Sequence, residues 1–436
     1  MKMKNTKMRV LWITHDVFEP FYSFVKGKPS TGGSWTTPLF YGLCKEEYLE
    51  MGSLVPVLKG TYQKEMINKI HYYTIPINPG DNNKQFNKKL IKSYLKAIND
   101  FKPDIIHIHG VEKNFALLQK HIDSNIPIVC SIQGLINPYH IFLKYSVATL
   151  HLKRYKSLKN WLGRGGVKTA LKNWRRYSDI EKEILKINKY FIGRTLWDKS
   201  QLFAFNSSAL YYHGEELLRE PFYKSKWSIR DCTRFRVFIS SSAYPIKGFH
   251  ILLKAAAILK DKYPTIQIVS PLSDFNLKSS KFKNYLIAED YSNYLRSEIS
   301  RLKLEDNVIL LPRLNANEMA VEFTKAHVFV LASFAENSPN ALGEAMLLGV
   351  PSVVSPIGGV MSIVKDEESA LFFPSGDYSM LAYQISRVFE DDALAINLSE
   401  NAKLIASIRH DVNKTTEQYK QIYSNVIKLH KDKKNE

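Results

Sequence analysis

The segment from His327 to Gly349 most constrains the fold, because it joins a continuous apolar run to a short helix. Residues 327–333 (HVFVLAS) have the length and composition of a strand that is buried on both faces of a parallel sheet. Residues 334–340 are rich in turn-forming and helix-capping side chains, and residues 341–348 are helix formers that stop at the glycine. The pattern predicts a strand, a polar loop and a short helix, as in α/β proteins.

Two carboxylates lie in this segment, separated by seven residues. Glu336 falls in the predicted loop at the carboxyl end of the strand, and Glu344 falls on the helix. Ligands of open α/β sheets bind at that end of the strands, and the amides that begin a helix suit a phosphate group. A solvated loop glutamate and a salt-bridged helix glutamate are the alternative interpretation.

Strand-like and helix-like patterns alternate through both halves of the chain, so we expect an α/β fold with parallel sheets. A length of 436 residues predicts two or three domains. Met8–Thr14 is the first predicted strand, and a helix is predicted from about Trp35 to Met51. The polar stretch Lys224–Asp231 is the predicted linker, which gives an N-terminal domain at 1–225 and a C-terminal domain at 232–405.

The composition narrows the cellular setting. Three cysteines, Cys44, Cys130 and Cys232, are far apart and lack metal-ligand spacing, which fits a reducing cytoplasm. The N-terminal MKMKNTK predicts no signal peptide, and without a run of 18 apolar residues we expect no transmembrane helix. A formal net charge of +19 is compatible with nucleic acid, an anionic membrane or an anionic substrate as partner.

Much of the positive charge falls in residues 141–178, which contain ten basic residues and no acidic ones. Leucine, tyrosine and tryptophan recur among them at helical intervals, which favours an amphipathic helix or helical hairpin on an anionic membrane surface. A nucleic-acid-binding surface and a solvated hairpin without a partner are the alternatives. Because the charge is localised, we expect no nucleic acid partner. By chain order, we treat 141–186 as a helical insertion in the N-terminal domain.

Glycines and histidines mark two further places in the first half. Gly32 and Gly33 precede the first predicted helix and would let the backbone approach a ligand closely, although a flexible surface turn is an equally good interpretation. His107 and His109 project to the same side of the predicted strand 105–109. No third ligand candidate has matching spacing, so we expect no metal site. One histidine acting at the sheet edge, with the other packed or hydrogen-bonded, is the favoured interpretation.

The second half holds a matching set of ligand-binding features. Lys247 and Gly248 follow a strand and open a helix, so an ammonium group and a helix N-terminus converge at one point, as suits a diphosphate. The pair Gly358 and Gly359 on a later loop again permits close backbone approach. Glu344 is placed to bind a ribose diol, a recurrent use of carboxylates in nucleotide sites.

Three stretches together resemble the nucleotide-sugar domain of family 4 glycosyltransferases, retaining enzymes of the GT-B fold that include bacterial surface-polysaccharide glycosyltransferases. They are residues 242–248 (SAYPIKG), residues 328–360 with the E-x7-E spacing and the sequence EAMLLGVP, and residues 370–377 (ALFFPSGD). The first glycine pair and the strand PDIIHIHG extend the resemblance more weakly, and residues 141–178 lie outside it. The resemblance implies two Rossmann-like domains facing across a cleft, with a C-terminal helix at 406–436 crossing back to the N-terminal domain.

Carried onto this sequence, the family pattern assigns the nucleotide ribose to Glu344 and the diphosphate to Lys247. Glu336 would contact the donor sugar near the reacting centre. The backbone amides around Asn340 and Ala341 would meet phosphate or sugar. Together with Gly358 and Gly359, these residues form the donor-binding set that the resemblance implies in the C-terminal domain. The pair Gly32 and Gly33 of the N-terminal domain belongs to the same implied donor site.

Four further sequence features bear on the family pattern. His109 matches the N-terminal-domain histidine that lies near the donor sugar. Ser242 stands five residues before the lysine, where the family often has an arginine, so one phosphate-neutralising charge is missing from the implied donor site. Residues 336–339 read ENSP where many members read EGFG, which bears on donor choice, and Gln133 stands where some members carry a second histidine.

The resemblance implies retaining transfer of a sugar from a nucleoside-diphosphate sugar to a hydroxyl group of a glycan acceptor. Neither a metal ion nor another cofactor is expected, because Lys247 and helix-end amides would stabilise the departing diphosphate. Together with the basic segment, this predicts a lipid-linked acceptor in capsule, exopolysaccharide or O-antigen biosynthesis, at the cytoplasmic face of the plasma membrane. The alternative is a GT-B protein that binds a nucleotide sugar without transferring it, such as an epimerase-like or regulatory relative.

Overall fold

The chain divides into two compact units. The structure is a computed structural model that describes residues 7–24, 35–58, 60–272 and 285–435. The first unit comprises the described parts of Met1–Asn137, Arg176–Leu217 and His410–Glu436, and the second comprises those of Pro138–Arg175 and Leu218–Arg409. Each unit is built on its own sheet.

The described residues of the first unit form an eight-stranded sheet in the order β3-β4-β2-β1-β5-β6-β7-β8. Its strands are β1 Met8–Ile13, β2 Leu49–Leu58, β3 Gln63–Ile67, β4 Ile70–Ile77, β5 Ile105–His109, β6 Ile128–Ser131, β7 Tyr190–Gly193 and β8 Leu210–His213. Only the edge strand β3 pairs antiparallel within this described sheet. Successive residues of β1 enter different core clusters: Leu11 and Ile13 pack in one, Val10 and Trp12 in the other. Both faces of the sheet are therefore buried, as period-two side chains of a central parallel strand require.

The described residues of the second unit form a six-stranded parallel sheet in the order β11-β10-β9-β12-β13-β14. Its strands are β9 Arg236–Phe238, β10 Gln267–Pro271, β11 Val308–Leu311, β12 Val328–Leu331, β13 Ser352–Val354 and β14 Leu371–Phe372. In register, Val237 faces Val328 and Phe238 faces Phe329. Because β9, β12 and β13 are parallel neighbours, the loops that follow them leave the sheet at one edge.

Helices connect the strands of both units, as expected for parallel sheets. They are α1 Thr36–Cys44, α2 Lys88–Phe101, α3 Ile136–Val147, α4 Leu158–Trp161, α5 Gly166–Ile187, α6 Leu196–Phe205, α7 Glu220–Lys224, α8 Phe249–Lys262, α9 Asp290–Arg301, α10 Ala316–Lys325, α11 Asn340–Leu348, α12 Tyr378–Glu390, α13 Asp392–Arg409 and α14 Val412–Asn435. Across the four described ranges, none of them has the length and apolar character needed to cross a bilayer.

The expectation of two Rossmann-like α/β units is confirmed, and so is the return of the C-terminal helix to the N-terminal domain. Tyr419, Tyr423 and Val426 of α14 are buried in the core cluster that contains Trp12. The Trp12 indole N–H donates a hydrogen bond to the Tyr423 hydroxyl at 3.0 Å. The last helix therefore completes the first unit, although Trp12 and Tyr423 are 411 positions apart in the chain.

The helix predicted over residues 35–51 was wrong in its second half. The helix ends at Cys44, and Leu49 already pairs with Met8 at the start of a long strand. The strand continues into the apolar run 54–58 (LVPVL), whose side chains fit a buried pleated sheet better than a helix. Pairing with β1 on one side and β4 on the other overrides the weak helical preference of the preceding residues.

Chain order had placed the basic insertion 141–186 in the N-terminal domain. Residues 141–175 pack in the second unit instead, and residues 176–186 lie in the first unit as predicted. Leu150 and Val167 are buried in the core cluster that contains the β9 residue Val237. Leu143 packs with Ile246 in a smaller cluster of the same unit. Chain order does not reveal which sheet a segment covers, because that depends on apolar contacts far along the sequence.

The stretch Lys224–Asp231, predicted as a linker, also packs in the second unit. Trp227 is buried in its core, and the indole N–H donates to the Ala326 carbonyl oxygen at 2.8 Å. The buried tryptophan and the partly buried Ile229 therefore hold a stretch whose composition resembles a solvated loop.

Candidate functional site

Three loops meet at the carboxyl edge of the second sheet. They follow β9, β12 and β13, and backbone hydrogen bonds join them. The Phe334 N–H donates to the Ile246 carbonyl oxygen at 2.8 Å, and the Gly359 N–H donates to the Glu336 carbonyl oxygen at 3.1 Å. The structure therefore brings together the loop that contains Lys247 (the lysine loop), the loop that contains Glu336 (the glutamate loop) and the glycine pair Gly358 and Gly359, all of which the sequence singled out.

Lys247 and Glu336 form the centre of this loop cluster. The Lys247 Nζ lies 2.5 Å from the Glu336 Oε1, and the Ser333 hydroxyl donates to the same oxygen at 2.7 Å. The Glu336 side chain is buried, and the Lys247 side chain is partly exposed. Because an ammonium group has three N–H donors, Lys247 can hold the carboxylate and still donate to an incoming anion.

The backbone at Gly248 explains how Lys247 comes so close to the end of β12. Gly248 has a φ of +70° and directly precedes α8, as the sequence predicted. A Cβ at this position would lie 1.9 Å from the Ala332 carbonyl oxygen. Only glycine fits both the left-handed backbone and this approach. The lysine loop is therefore fixed against the strand that leads to Glu336.

Glu344 is buried on α11 and paired with an arginine. The Arg219 Nε donates to Oε1 and Nη2 donates to Oε2, each at 2.7 Å. Burial raises the pKa of Glu344 above its usual value, and the neighbouring guanidinium opposes part of that rise. Sequence reasoning missed Arg219, because a lone arginine 125 residues away carries no spacing signal.

The first turn of α11 carries the two predicted amide positions. Pro339 occupies the cap position in an extended conformation, and the helix begins at Asn340. The N–H groups of Asn340 and Ala341 fall in the first turn of the helix, where backbone donors have no intrahelical acceptor. Both residues are partly exposed, so these donors suit a phosphate or sugar oxygen.

The remaining predicted positions of the second unit are Gly358 and Gly359, which lie in a loop, and Ser242, which lies in the core. Gly358 has a φ of +54°, a conformation that favours glycine, and Gly359 caps a short 3₁₀ turn. Ser242 is fully buried and accepts a hydrogen bond from the Ser270 hydroxyl at 2.7 Å. Position 242 therefore contributes a small polar group of the core and no charge.

His109 lies at the carboxyl end of β5 in the first unit and packs against two aromatic rings that are tilted relative to its own. Its ring centroid lies 3.9 Å from those of Trp12 and His107. Burial holds the pKa of His109 well below 6.5, and nearby positive groups lower it further. His107 makes hydrogen bonds through both ring nitrogens, to Tyr423 at 2.8 Å and Ser131 at 2.7 Å. Within the described ranges neither nitrogen of His109 has such a partner.

Gly32 and Gly33 lie outside the described residues. His109 belongs to a different compact unit from Lys247 and the two glutamates, so its shared role with them stays a prediction. In the part of the chain that the structure describes, no group of three or more histidine, cysteine or carboxylate side chains is arranged to hold a metal ion.

Comparison with known proteins matches the second unit to a family. Residues 224–405 match the family described as Glycosyl transferases group 1. The D-inositol 3-phosphate glycosyltransferase of Arthrobacter sp. (strain FB24) is 27% identical over 173 residues, 40% of this chain and 38% of that protein. An N,N'-diacetylbacillosaminyl-diphospho-undecaprenol alpha-1,3-N-acetylgalactosaminyltransferase of Campylobacter jejuni is 32% identical over 101 residues, 23% of this chain and 27% of that protein. The matched region thus spans less than two fifths of each of these relatives.

Solved structures resemble the chain over nearly its whole length. Sucrose-phosphate synthase from Thermosynechococcus elongatus superposes with a TM-score of 0.70 at 16% identity, covering 97% of this chain and 100% of that one. Anabaena HepE in complex with UDP-glucose gives a TM-score of 0.64 at 19% identity, covering 96% and 100%. At such identities the likeness concerns the fold. Residues 224–405 are thus similar to the group 1 glycosyl transferases, and the chain as a whole has the fold of these solved structures.

Proposed function

We propose that this protein transfers a sugar, with retention, from a nucleoside-diphosphate sugar to an acceptor hydroxyl group. The observation that carries the proposal is the convergence of Lys247, Glu336 and the start of α11 at one sheet edge inside the family-matched region. The names of the relatives support it, since both curated proteins are glycosyltransferases and HepE was solved with UDP-glucose.

In the proposed reaction, a bond forms between the acceptor oxygen and the anomeric carbon as the bond from that carbon to the diphosphate breaks. The proton of the acceptor hydroxyl passes to the departing diphosphate on the same face of the sugar. Lys247 and the first-turn amides of α11 stabilise the developing negative charge, which is the main catalytic contribution that the chain offers. Glu336 contacts the donor sugar, and Glu344 binds the ribose.

A panel of UDP-, GDP-, ADP-, CDP- and dTDP-sugars tests this function. We expect one donor to bind in ligand-detected NMR and to raise the melting temperature, because only ligands of the native state stabilise it. Release of nucleoside diphosphate should then require an added glycan acceptor. Lys247→Ala, which removes the ammonium beside the leaving group, should abolish this acceptor-dependent release. Failure of every donor to bind would contradict the proposal.

The uncharged, buried Ser242 favours a second candidate, a nucleotide-sugar-binding protein without transferase activity. An arginine at this position would add a positive charge for the diphosphate, and the serine does not. An epimerase-like protein would convert the donor to another nucleotide sugar without any acceptor or release of diphosphate. A regulatory protein would bind the donor and leave it unchanged. Acceptor-dependent release would exclude both.

We also propose that the basic segment 141–178 attaches the enzyme to an anionic membrane surface. Tyr145, Trp161 and Leu162 expose 68%, 75% and 67% of their surface. Basic residues of the same segment are also exposed: Lys144, Lys153, Arg154, Arg164 and Lys168. Aromatic and aliphatic side chains among exposed cations suit the boundary between headgroups and acyl chains.

Two acidic residues fix this segment to the second unit. The Lys159 Nζ lies 2.6 Å from the Glu289 Oε1, and the Gly166 N–H also donates to the Glu289 carboxylate. The Val167 N–H donates to the Asp290 Oδ2 at 3.1 Å. Carboxylates at the N-terminus of α5 are favourably placed with respect to its dipole. A membrane contact made by this segment would therefore hold the donor-binding domain at the bilayer.

Substituting the exposed apolar residues tests the membrane proposal. Wild-type protein should sediment with vesicles of phosphatidylcholine and phosphatidylserine, and salt should weaken this binding by screening. The triple variant Tyr145→Ser/Trp161→Ser/Leu162→Ser should bind at least about tenfold more weakly, because apolar area buried in the interface is lost. Deleting the whole segment is a poor test, since it removes buried Leu143 and Val167 from the core.

Tyr383→Ser/Leu404→Ser is the matched control for the triple variant. These side chains are exposed in the same unit but lie outside the basic segment, so vesicle binding should not change. Equal sedimentation of the triple variant and wild type, or binding that is indifferent to salt, would overturn the membrane proposal.

A lipid-linked acceptor, in the assembly of a bacterial surface polysaccharide, would follow from such attachment. The name of the Campylobacter relative includes an undecaprenol diphosphate, which is a lipid carrier. That name supports a similar class of acceptor for this chain. The acceptor assay should therefore include glycans linked to a polyprenyl diphosphate as well as free oligosaccharides.

A further inference from the structure

A cavity of about 290 Å³ lies between the basic segment 141–178 and the lysine loop, inside the second unit. One of its walls is formed by Ala243, Tyr244 and Pro245, which precede Lys247 in the same loop. A second wall is formed by the first turns of α5, and Leu143 of α3 also lines the cavity. A ligand in this cavity would therefore contact both the basic segment and the loop that carries Lys247.

Most of the side chains that line the cavity are apolar. Leu143 is buried in a small cluster with Ile246 of the lysine loop, and Ala170 and Trp174 pack against that cluster. Val167 is buried in the main core of the second unit. These contacts hold the walls in place, so the cavity is a formed site of the kind that takes an apolar group.

Two carboxylates also line the cavity, and donors of the basic segment already bind them. The Lys159 ammonium group and the Gly166 N–H donate to Glu289. The Val167 N–H donates to Asp290 at 3.1 Å. A polar ligand would have to compete with these donors, whereas an apolar ligand would leave the hydrogen bonds intact.

The size of the cavity and the charge beside it suit a hydrocarbon chain with an anionic head group. An apolar cavity of about 150 Å³ takes up one benzene molecule, so this volume accommodates roughly ten carbon atoms of a chain. Three exposed cations stand next to lining residues in the sequence: Arg164, Lys168 and Lys172. Basic side chains beside an apolar pocket favour a lipid that carries phosphate groups.

We infer that this cavity binds the part of the lipid-linked acceptor's hydrocarbon chain that adjoins its diphosphate group, an inference that rests on the proposed function because it takes the acceptor to be lipid-linked. Because Ala243, Tyr244 and Pro245 form one wall, a chain held here keeps the acceptor beside the loop that carries Lys247. The basic segment then selects the acceptor as well as the membrane surface.

Dimethylallyl, geranyl and farnesyl diphosphate test the inference, because they share a head group and contain one, two and three isoprene units. Each would be titrated calorimetrically into the full chain without vesicles. Every methylene group that is buried contributes about fourfold in affinity. We expect geranyl diphosphate to bind at least about 100-fold more tightly than dimethylallyl diphosphate. Farnesyl diphosphate should gain less than about threefold more, since the cavity is then full.

Ala170→Leu fills the cavity and should weaken the binding of geranyl diphosphate at least about tenfold, because the added carbon atoms occupy the space of several methylene groups. Ala148→Leu is the matched control. It adds the same side chain at an exposed position of the basic segment that does not line the cavity, so the affinity should not change. If Ala170→Leu does not fold, Tyr244→Ser decides the question. Tyr244 is 62% exposed, so its replacement spares the core but removes part of a wall, and binding should fall about threefold or more.

Sedimentation with vesicles of phosphatidylcholine and phosphatidylserine separates the acceptor's chain from a chain of bilayer lipid. Ala170→Leu should sediment as wild type does, because membrane contact is assigned to Tyr145, Trp161 and Leu162. A parallel loss of vesicle binding would assign the cavity to bilayer lipid and overturn the inference. Equal affinity for the three diphosphates, or unchanged affinity in both Ala170→Leu and Tyr244→Ser, would also overturn it. Those results leave donor binding intact, whereas failure of every nucleotide sugar to bind contradicts the proposed function itself.

Discussion

Glu336→Gln is expected to lower kcat for sugar transfer by about 100- to 1,000-fold, the usual loss when a catalytic-site electrostatic contact is removed. The amide keeps the shape of the side chain and an oxygen for the Ser333 hydroxyl. It removes the negative charge that lies 2.5 Å from the Lys247 ammonium. The Lys247 ammonium then lacks its carboxylate partner at the proposed position of the donor sugar. The measurement is the initial rate of diphosphate release at saturating donor and acceptor.

Glu344→Gln provides the contrast for this prediction. Glu344 lies on α11 and is assigned to nucleotide binding. The main effect of Glu344→Gln should therefore be a higher KM and a higher dissociation constant for the donor. The effect on kcat should be much smaller than that of Glu336→Gln. Equal and mild effects of the two substitutions would show that the glutamate roles have been assigned to the wrong groups.

The local features of this site could be predicted from sequence because neighbouring residues determine them. A buried strand before Glu336, a short helix predicted at 341–348 and a turn at Lys247-Gly248 each depend on adjacent side chains. The parallel order of β9, β12 and β13 then brings these loops to one edge. The sequence therefore contained enough information to place these loops together in the second unit.

The contacts that the sequence did not reveal join distant parts of the chain. The bidentate pair between Arg219 and Glu344 bridges 125 residues, and no periodicity marks either partner for the other. The basic segment shows a similar limit. Its composition predicted a segment at the protein surface. The unit on which the segment packs is determined by Leu150 and Val167, which are buried in the core of the second unit. Which side chains meet at such contacts is decided only when the sheets bring the distant segments together.

Gly248→Ala is expected to lower the free energy of unfolding by more than about 2 kcal/mol and to abolish donor binding. A residue with a Cβ is strained by about 1–2 kcal/mol in the left-handed region, and Gly248 has a φ of +70°. The new Cβ would also lie 1.9 Å from the Ala332 carbonyl oxygen, so the backbone must move. Moving it displaces Lys247 from Glu336. Calorimetric unfolding and donor titration measure the two effects.

Gly163→Ala separates backbone strain from the steric contact. Gly163 has a similar φ of +73°, and no described atom lies within 4 Å of a Cβ built there. This variant should lose only about 1–2 kcal/mol and bind donor normally, because strain alone acts. The excess loss in Gly248→Ala then measures how tightly the lysine loop is held against β12. If both variants lose the same stability and both bind donor, the close approach at Gly248 does not position Lys247.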